Sequence, residues 1–247
     1  MIIIIFIYGL VLGSFFNVIG LRVPLKKPVF IASSACANCH HPLPFYDMFP
    51  VFSFILLKGR CRFCHKKISP IYVIGELLTG MLFVFAYMKI GFTFELIVVW
   101  TLISLFIILF VSDVTYMIIP NKILIVFLVI FVCERIVYPL SPWWDSVLGA
   151  ICMYVLLMVI FIFSKGGIGG GDIKLFALLG LALGLKVTFL SLLASIFIGA
   201  IVGIIGIYTG FFRKEEPIPF VPFIAVGTLI AYFYHKEILD LYFSNFQ

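Results

Sequence analysis

Two aspartates of this sequence stand where their carboxylates could act together at a membrane surface. Asp172 follows five glycines within residues 166–171, and Asp113 ends a long apolar run, in a chain with only eleven acidic residues. Ionisable groups within membrane helices usually face a bundle interior or a wet cavity. Two neighbouring carboxylates cannot both ionise easily, so they share one proton. Such a pair supplies a base that activates water and an acid that protonates a leaving amine.

The glycine run indicates a backbone shaped around Asp172. Glycine permits close approach and positive φ, so we expect the run to bend the chain and aim the carboxylate, with Gly169, Gly171 and Lys174 in support. The same glycines could instead admit a substrate backbone. For Asp172 alone the alternative is capping, because a carboxylate in the first turn of a helix is favoured by the helix dipole and by unpaired N–H groups.

Four of the six cysteines form two pairs, Cys36-x-x-Cys39 and Cys61-x-x-Cys64. Twenty-one residues separate the pairs, a spacing that suits a tetrahedral four-thiolate zinc site. A cytoplasmic segment is reducing, which argues against disulfides, and a segment of about fifty residues makes too thin a core to fold alone. We therefore predict structural zinc. The histidines beside the pairs are expected to adjoin the site without binding metal: His40, His41 and His65.

The elements that carry these residues are predicted to be membrane helices. Hydrophobic residues make up 64% of the 247 residues and charged residues 11%, with a mean hydropathy of +1.26; soluble domains contain about 25% charged residues. A spanning helix needs about 20 mainly apolar residues. We predict an all-α polytopic membrane protein with about eight transmembrane helices. Their approximate positions are 2–20, 71–88, 96–112, 123–140, 146–164, 175–187, 188–211 and 218–235.

A polar segment after the first helix divides the chain into three parts. We predict a first transmembrane helix at 1–20, a small cytoplasmic zinc-type domain at 21–70 and a polytopic domain at 71–247. The middle part carries eight Lys and Arg residues against the single acid Asp47. Its apolar stretch from Val51 to Leu57 is too short to span a membrane, so it is either local core or interfacial.

The distribution of cations predicts the topology, because Lys and Arg accumulate in cytoplasmic loops. Thirteen of the seventeen cations fall on one side when both termini are outside. Asp113 and Asp172 then both lie at the cytoplasmic face. The same bias accounts for the net charge of +6 without nucleic acid, and membrane lipids are the expected surroundings. Several G-x-x-x-G patterns in the later helices favour packing within one bundle, so we expect a monomer.

Glu76 lies inside the second predicted membrane helix. A carboxylate at that depth is functional by default; the alternative is an ion pair with a loop cation such as Arg22.

Cys133 and Cys152 lie in apolar runs and are expected to be small buried residues.

Taken in order, these motifs resemble those of the bacterial type IV prepilin leader peptidases, integral-membrane aspartic peptidases of the GxGD type. The matching segments extend along nearly the whole chain: Gly13–Val18, Arg22–Pro24, Cys36 to Cys64, Tyr72, Glu76–Thr79, Asp113, Ile119–Asn121, Gly169–Leu175 and Pro219–Phe223. One departure is Val221, where a glycine is common, and it affects nothing catalytic.

The resemblance implies that Asp113 and Asp172 cut the leader peptides of type IV prepilins or pseudopilins at the cytoplasmic face of a bacterial plasma membrane. It also implies N-methylation of the new N-terminus with S-adenosylmethionine, an activity associated with the cysteine-bearing segment. Gly59 occupies the position of a glycine that matters for methylation, and we group Glu76 with it.

Two alternatives are a peptidase that does not methylate and a protein of a different function class. A peptidase without methylation would resemble archaeal preflagellin or presenilin-like enzymes, and the zinc-type segment argues against it. An ion-coupled transporter would use the carboxylates to carry protons or cations, but no inverted hydropathy repeat is evident.

Overall fold

The computed structural model describes residues 1–29, 35–36, 38–39, 41–42, 44–164, 167–210 and 217–244. The described residues form α-helices with a 3-10 turn at Phe45–Met48. The helices are α1 (Ile2–Arg22), α2 (Phe52–Leu56), α3 (Ile71–Ile90), α4 (Phe94–Tyr116), α5 (Asn121–Val137), α6 (Asp145–Phe163), α7 (Gly170–Leu183), α8 (Leu185–Tyr208) and α9 (Val221–Ser244). Within the described residues the β-structure is limited to two isolated bridges. The all-α prediction is therefore confirmed.

Five of these helices, α1, α3, α4, α6 and α8, are long and apolar enough to cross a membrane. An α-helix satisfies the main-chain N–H and C=O groups of its interior within itself, which a bilayer requires. The predicted number of eight spans is not confirmed. Helix α5 has 17 residues and α7 only 14, about 26 and 21 Å at 1.5 Å per residue, against a hydrocarbon core of about 30 Å.

The chain divides into two compact units, Met1–Tyr116 and Met117–Gln247. In the first unit, α1 packs closely on α3 because glycines remove the side chains between them. A Cβ atom on Gly9 would lie 2.7 Å from Gly80 Cα, and one on Gly13 would lie 2.8 Å from Glu76 Cα. Near the end of α1, Gly20 contacts the main chain of α4 at Ile108. Helix α1 therefore contacts both α3 and α4.

In the second unit, α7 packs against α5, α6 and α8. Gly180 of α7 lies directly against the main chain of Gly149 in α6, a close helix contact of the kind that small residues permit. Helix α7 ends at Gly184, whose φ of 82° is left-handed, a conformation that glycine adopts without strain. The boundary between α7 and α8 thus falls at Gly184, a few residues before the predicted one. Of the G-x-x-x-G glycines, Gly180 thus packs against a neighbouring helix, whereas a Cβ on Gly210 would meet nothing within 4 Å.

One cysteine prediction is wrong. Cys133 is exposed and Cys152 only partly covered, because Cys133 shares the outward face of α5 with Val126, Val129 and Ile136, which are also exposed.

Candidate functional site

The four paired cysteines converge in the first unit. Their Sγ atoms all lie within 4.8 Å of one another, with Cys36 and Cys64 3.8 Å apart and Cys39 and Cys61 4.0 Å apart. Each pair lies on a tight turn of the same kind. The N–H of Cys36 donates to the carbonyl of His41 at 3.0 Å, and that of Cys61 to the carbonyl of Lys66 at 2.9 Å.

The cysteine cluster fits a tetrahedral metal ion. Zinc–sulfur bonds of about 2.3 Å place the sulfurs of a tetrahedron about 3.8 Å apart, close to the two distances above. Among the described residues, these cysteines are the group found that could hold a metal ion. His41 packs against the Phe63 ring with centroids 3.7 Å apart, and His40 lies outside the described residues.

The thiols differ in acidity. The main-chain N–H of Lys66 and neighbouring donors lower the pKa of Cys64 to about 6. The N–H of His41 lowers the pKa of Cys39, but desolvation and the adjacent thiols outweigh it and raise that pKa to about 11. Metal binding requires thiolates. Of Cys39 and Cys64, Cys64 is the one whose thiol already ionises near neutral pH.

Gly59 is required by the shape of the cysteine-bearing segment. Its φ is +67°, and a Cβ atom there would lie 2.9 Å from Cζ of Phe54. Gly59 also ties two parts of the segment together, since its N–H donates to the Phe54 carbonyl at 2.8 Å and its carbonyl accepts from Ile68 N–H at 2.8 Å. Any other residue would meet both backbone strain and the Phe54 ring.

Phe54 lines a cleft of about 170 Å³ between the cysteine-bearing segment and helices α1 and α3. The polar side chains that line it are Ser14, Asp47, Ser53, Arg62, Tyr72 and Glu76. The cleft therefore brings Glu76 together with Phe54, the ring that Gly59 accommodates. Gly59 itself does not line the cleft, and Phe54 is the residue that connects it to the cleft that Glu76 lines.

Glu76 is buried and fixes the start of α2. Its Oε2 accepts the main-chain N–H of Val51 at 2.8 Å, and the Ser14 side chain is a further hydrogen-bond partner. Val51 has a φ of 62°, a conformation that costs a β-branched residue about 1–3 kcal/mol and persists only where the surroundings enforce it. The bond from the Glu76 carboxylate supplies that constraint. Arg22, the alternative partner of Glu76, donates to the carbonyls of Pro28 and Val29.

Asp47 and Arg62 form a bidentate pair beside the same cleft. Arg62 Nη2 lies 2.6 Å from Asp47 Oδ1 and Nε lies 3.0 Å from Oδ2. The Asp47 side chain is almost fully covered, whereas that of Arg62 is half exposed. Hydrogen bonds to Asp47 raise the pKa of Arg62, and the guanidinium also lies 5.1 Å from the Tyr46 ring centroid. This pair fixes the 3-10 turn to the second cysteine pair.

Asp113 lies in the last turn of α4 and is buried, with 7% of its surface exposed. The end of α4 is held to α1, because the Tyr116 hydroxyl donates to the Leu21 carbonyl at 3.3 Å. A buried carboxylate in a helix of this hydropathy is a functional candidate in its own right.

Asp172 lies in the first turn of α7, where the glycines make room for its carboxylate. A Cβ on Gly169 would lie 2.8 Å from Asp172 Oδ2, and a Cβ on Gly171 would lie 2.8 Å from Ile119 Cβ, whereas one on Gly170 would contact nothing within 4 Å. The expectation of positive φ is wrong for the described glycines of the run, because Gly169 has a φ of −67° and Gly170 begins the helix. Close approach is what requires glycine here.

Lys174 connects the start of α7 with the start of α5. Its Nζ lies 3.0 Å from Oδ1 of Asn121, the first residue of α5. With the contact between Gly171 and Ile119, this bond holds the start of α7 against the start of α5. The contact between Lys174 and Asn121 was not predicted from the sequence, and neither were the contacts of Val51 and Ser14 with Glu76. No local pattern indicates them, because each contact joins distant parts of the chain.

Comparisons with known proteins agree with these motifs. The profile of the bacterial peptidase A24 N-terminal domain matches residues 7–90, and that of the type IV leader peptidase family matches residues 100–204. A prepilin leader peptidase/N-methyltransferase of Bacillus subtilis is 41% identical over 97% of this chain and 96% of its own length. One from Aeromonas hydrophila is 30% identical over 98% and 93%. No solved structure matches the chain. Similarity of this extent shows that the chain belongs to the type IV leader peptidase family.

Proposed function

We propose that the protein cleaves the leader peptides of type IV prepilins or pseudopilins with Asp113 and Asp172 as its catalytic pair. The relatives that match nearly the whole chain are named prepilin leader peptidase/N-methyltransferase. The observation that carries the proposal is the packing around Asp172, where Gly169 and Gly171 leave space only for the carboxylate and for Ile119.

In this proposal the two carboxylates share one proton before the reaction. The ionised one removes a proton from water, whose oxygen attacks the scissile carbonyl carbon. The protonated one donates its proton to the amide nitrogen as the C–N bond breaks, which releases the new N-terminus as an amine. Fixed orientation of Asp172 favours this chemistry, because a misplacement of about 1 Å costs about 100-fold in rate.

Asp113→Asn and Asp172→Asn test the pair. Each removes one ionisable oxygen with little change in volume, so we expect cleavage of co-expressed prepilin to fall by at least about 100-fold, the contribution of a positioned acid or base. Asp240→Asn is the matched control, since Asp240 is exposed near the end of α9 and should cleave normally. Wild-type cleavage by either catalytic variant, correctly inserted in the membrane, would overturn the proposal.

We further propose that the cleft beside Glu76 is where the new N-terminus is methylated, with S-adenosylmethionine as methyl donor. Glu76 offers a carboxylate to a cationic group, and Phe54 and Tyr72 offer aromatic faces; both features suit a sulfonium or ammonium ion. The cleft of about 170 Å³ is smaller than the roughly 300–1,000 Å³ of most ligand pockets, so it fits the reacting groups rather than the whole donor. S-adenosylmethionine supplies the methyl group, and Glu76 is placed to accept the proton that the amine loses.

Zinc in the four-cysteine cluster would be structural in this proposal. All four positions around the ion would be thiolates, so no position stays open for a substrate. The metal would instead hold the segment that carries Gly59 and Phe54.

A peptidase that does not methylate is the alternative, and labelled S-adenosylmethionine distinguishes the two. Purified protein is incubated with the label and a cleaved pilin, and transfer of label to the pilin N-terminus is measured. Transfer that is lost in Glu76→Gln, while that variant still cleaves prepilin, would support the cleft as the methylation site. Absence of transfer by the wild-type protein would leave a peptidase alone.

The proposal includes an arrangement in the membrane. Both termini lie outside, the aspartates and the segment at 21–70 lie at the cytoplasmic face of the plasma membrane, and 71–247 forms the peptidase domain of a monomer. The excess of Lys and Arg in the corresponding loops supports this orientation.

A further inference from the structure

Helix α2 has two faces with different surroundings. Ser53, Phe54 and Leu57 line the cleft beside Glu76. The other face is formed by Phe52, Ile55 and Leu56, which are 65%, 64% and 81% exposed. A cluster of large exposed apolar side chains marks an interaction surface. The exposure of these three side chains also argues against the interpretation that residues 51–57 form local core.

The start of α2 is fixed beside a membrane-spanning helix. Val51, the residue before α2, donates its N–H to Glu76 of α3 at 2.8 Å. Glu76 lies five residues from the first residue of α3, Ile71, which places it about 8 Å along that helix at 1.5 Å per residue. The bond therefore holds α2 next to the end of a helix that is apolar enough to cross a membrane, not above it.

Cations follow directly after the exposed face. Lys58 and Arg60 are exposed and, with Arg62 and His65, line a shallow cleft of about 380 Å³ that Leu56 also borders. Apolar side chains followed by basic ones match the two layers of a bilayer surface, acyl chains and anionic headgroups.

We propose that α2 lies in the interfacial layer of the bilayer, with Phe52, Ile55 and Leu56 among the acyl chains and Lys58 and Arg60 at the phosphates of anionic phospholipids. Because the opposite face of α2 lines the Glu76 cleft, this anchoring holds the cysteine-bearing segment with its cleft at the membrane surface. The proposal does not depend on either proposed enzymatic activity.

Site-specific photocrosslinking to lipid tests the proposal on the full-length protein in nanodiscs. The photoreactive amino acid p-benzoylphenylalanine replaces Phe52 in one variant and Phe63 in the control. Phe63 is an aromatic residue of the same segment that is 46% exposed but lies outside α2. In phosphatidylglycerol nanodiscs we expect at least about fivefold more phospholipid adduct from position 52 than from position 63, because only an inserted side chain meets acyl chains continuously. The same label at Leu56 provides a second inserted position if the variant at position 52 does not fold.

The charged part is tested by Lys58→Glu combined with Arg60→Glu. Each cation near an anionic surface contributes about fivefold to binding, so adduct formation at position 52 should fall strongly in phosphatidylglycerol and change little in phosphatidylcholine. Equal yields at positions 52 and 63, or crosslinks from position 52 to a second copy of the chain or to prepilin in place of lipid, would overturn the proposal. Loss of yield in both lipids alike would overturn the role of the cations.

Discussion

Replacing Gly59 by alanine tests how the cysteine-bearing segment supports methylation, and the structure sets the size of the effect. A residue with a Cβ at a φ of +67° costs about 1–2 kcal/mol. The new Cβ would also lie 2.9 Å from Phe54 Cζ, well inside the usual carbon–carbon contact of about 3.5 Å, so the ring must shift by about 0.5–1 Å. The structural zinc ion proposed above would keep the segment folded, since such an ion contributes about 10–16 kcal/mol in small zinc domains. The expected defect is therefore a displaced Phe54 in an otherwise intact cleft.

Displacements of this size reduce catalysis by about tenfold to a hundredfold. Mass spectrometry of co-expressed prepilin should therefore show normal cleavage by Gly59→Ala and a loss of N-methylation of that order. Gly91→Ala is the matched control, because Gly91 has a φ of +71° but a Cβ there meets nothing within 4 Å. If Gly59→Ala methylates as well as Gly91→Ala, with equal zinc content, the contact with Phe54 does not matter and the reasoning is refuted.

Three further predictions concern the glycine run and the thiols. Gly171→Ala should reduce prepilin cleavage about tenfold to a hundredfold, because the new Cβ would displace Ile119 and turn Asp172. Gly170→Ala, whose Cβ would meet nothing within 4 Å, should cleave normally, and equal rates for the two variants would show that the packing around Gly171 does not matter. Cys61→Ser should lose both N-methylation and bound metal, the latter measured by elemental analysis. It should keep prepilin cleavage, because Asp113 and Asp172 lie outside the cysteine-bearing segment; if cleavage were lost as well, the metal would support both activities. In metal-free protein at pH 7.5, iodoacetamide should modify Cys64, with its pKa of about 6, before Cys39, with its pKa of about 11, since only thiolates react. Modification of Cys64 should slow as the pH falls below 6, because Cys64 then protonates; preferential labelling of the more exposed Cys39 would show that exposure decides instead.

Much of the helical frame follows from the sequence, since apolar runs fix the helices and Pro70, Gly91 and Pro120 mark several of their ends. The cysteine cluster follows too, because two short C-x-x-C pairs have few other arrangements. Helix α7 begins five residues earlier than predicted, at Gly170. Glycine has a poor intrinsic helix propensity, but contacts such as that between Gly171 and Ile119 override it.

The polar cleft could not be predicted in the same way. Its formation depends on Val51 adopting positive φ and on Ser14 of α1 facing Glu76 of α3, residues 62 positions apart. Hydrophobic periodicity records which side of a helix is buried, but not which polar side chain meets which. The depth of Glu76 in a predicted membrane helix therefore made it a candidate functional residue, but gave no indication of the N–H group that its carboxylate binds.

The order of the cysteine-bearing segment requires an explanation beyond hydrophobic burial. Between residues 23 and 70, Cys61 is the one buried residue among those the structure describes, so the segment has almost no core of its own. A chain of this size then needs other constraints. The structure provides three of them at different points: the four-thiolate cluster, the bidentate Asp47–Arg62 pair, and the bond from Val51 to Glu76. Of these three, the bond from Val51 to Glu76 reaches a helix that is apolar enough to cross a membrane, so this carboxylate helps to fix the position of the segment relative to α3.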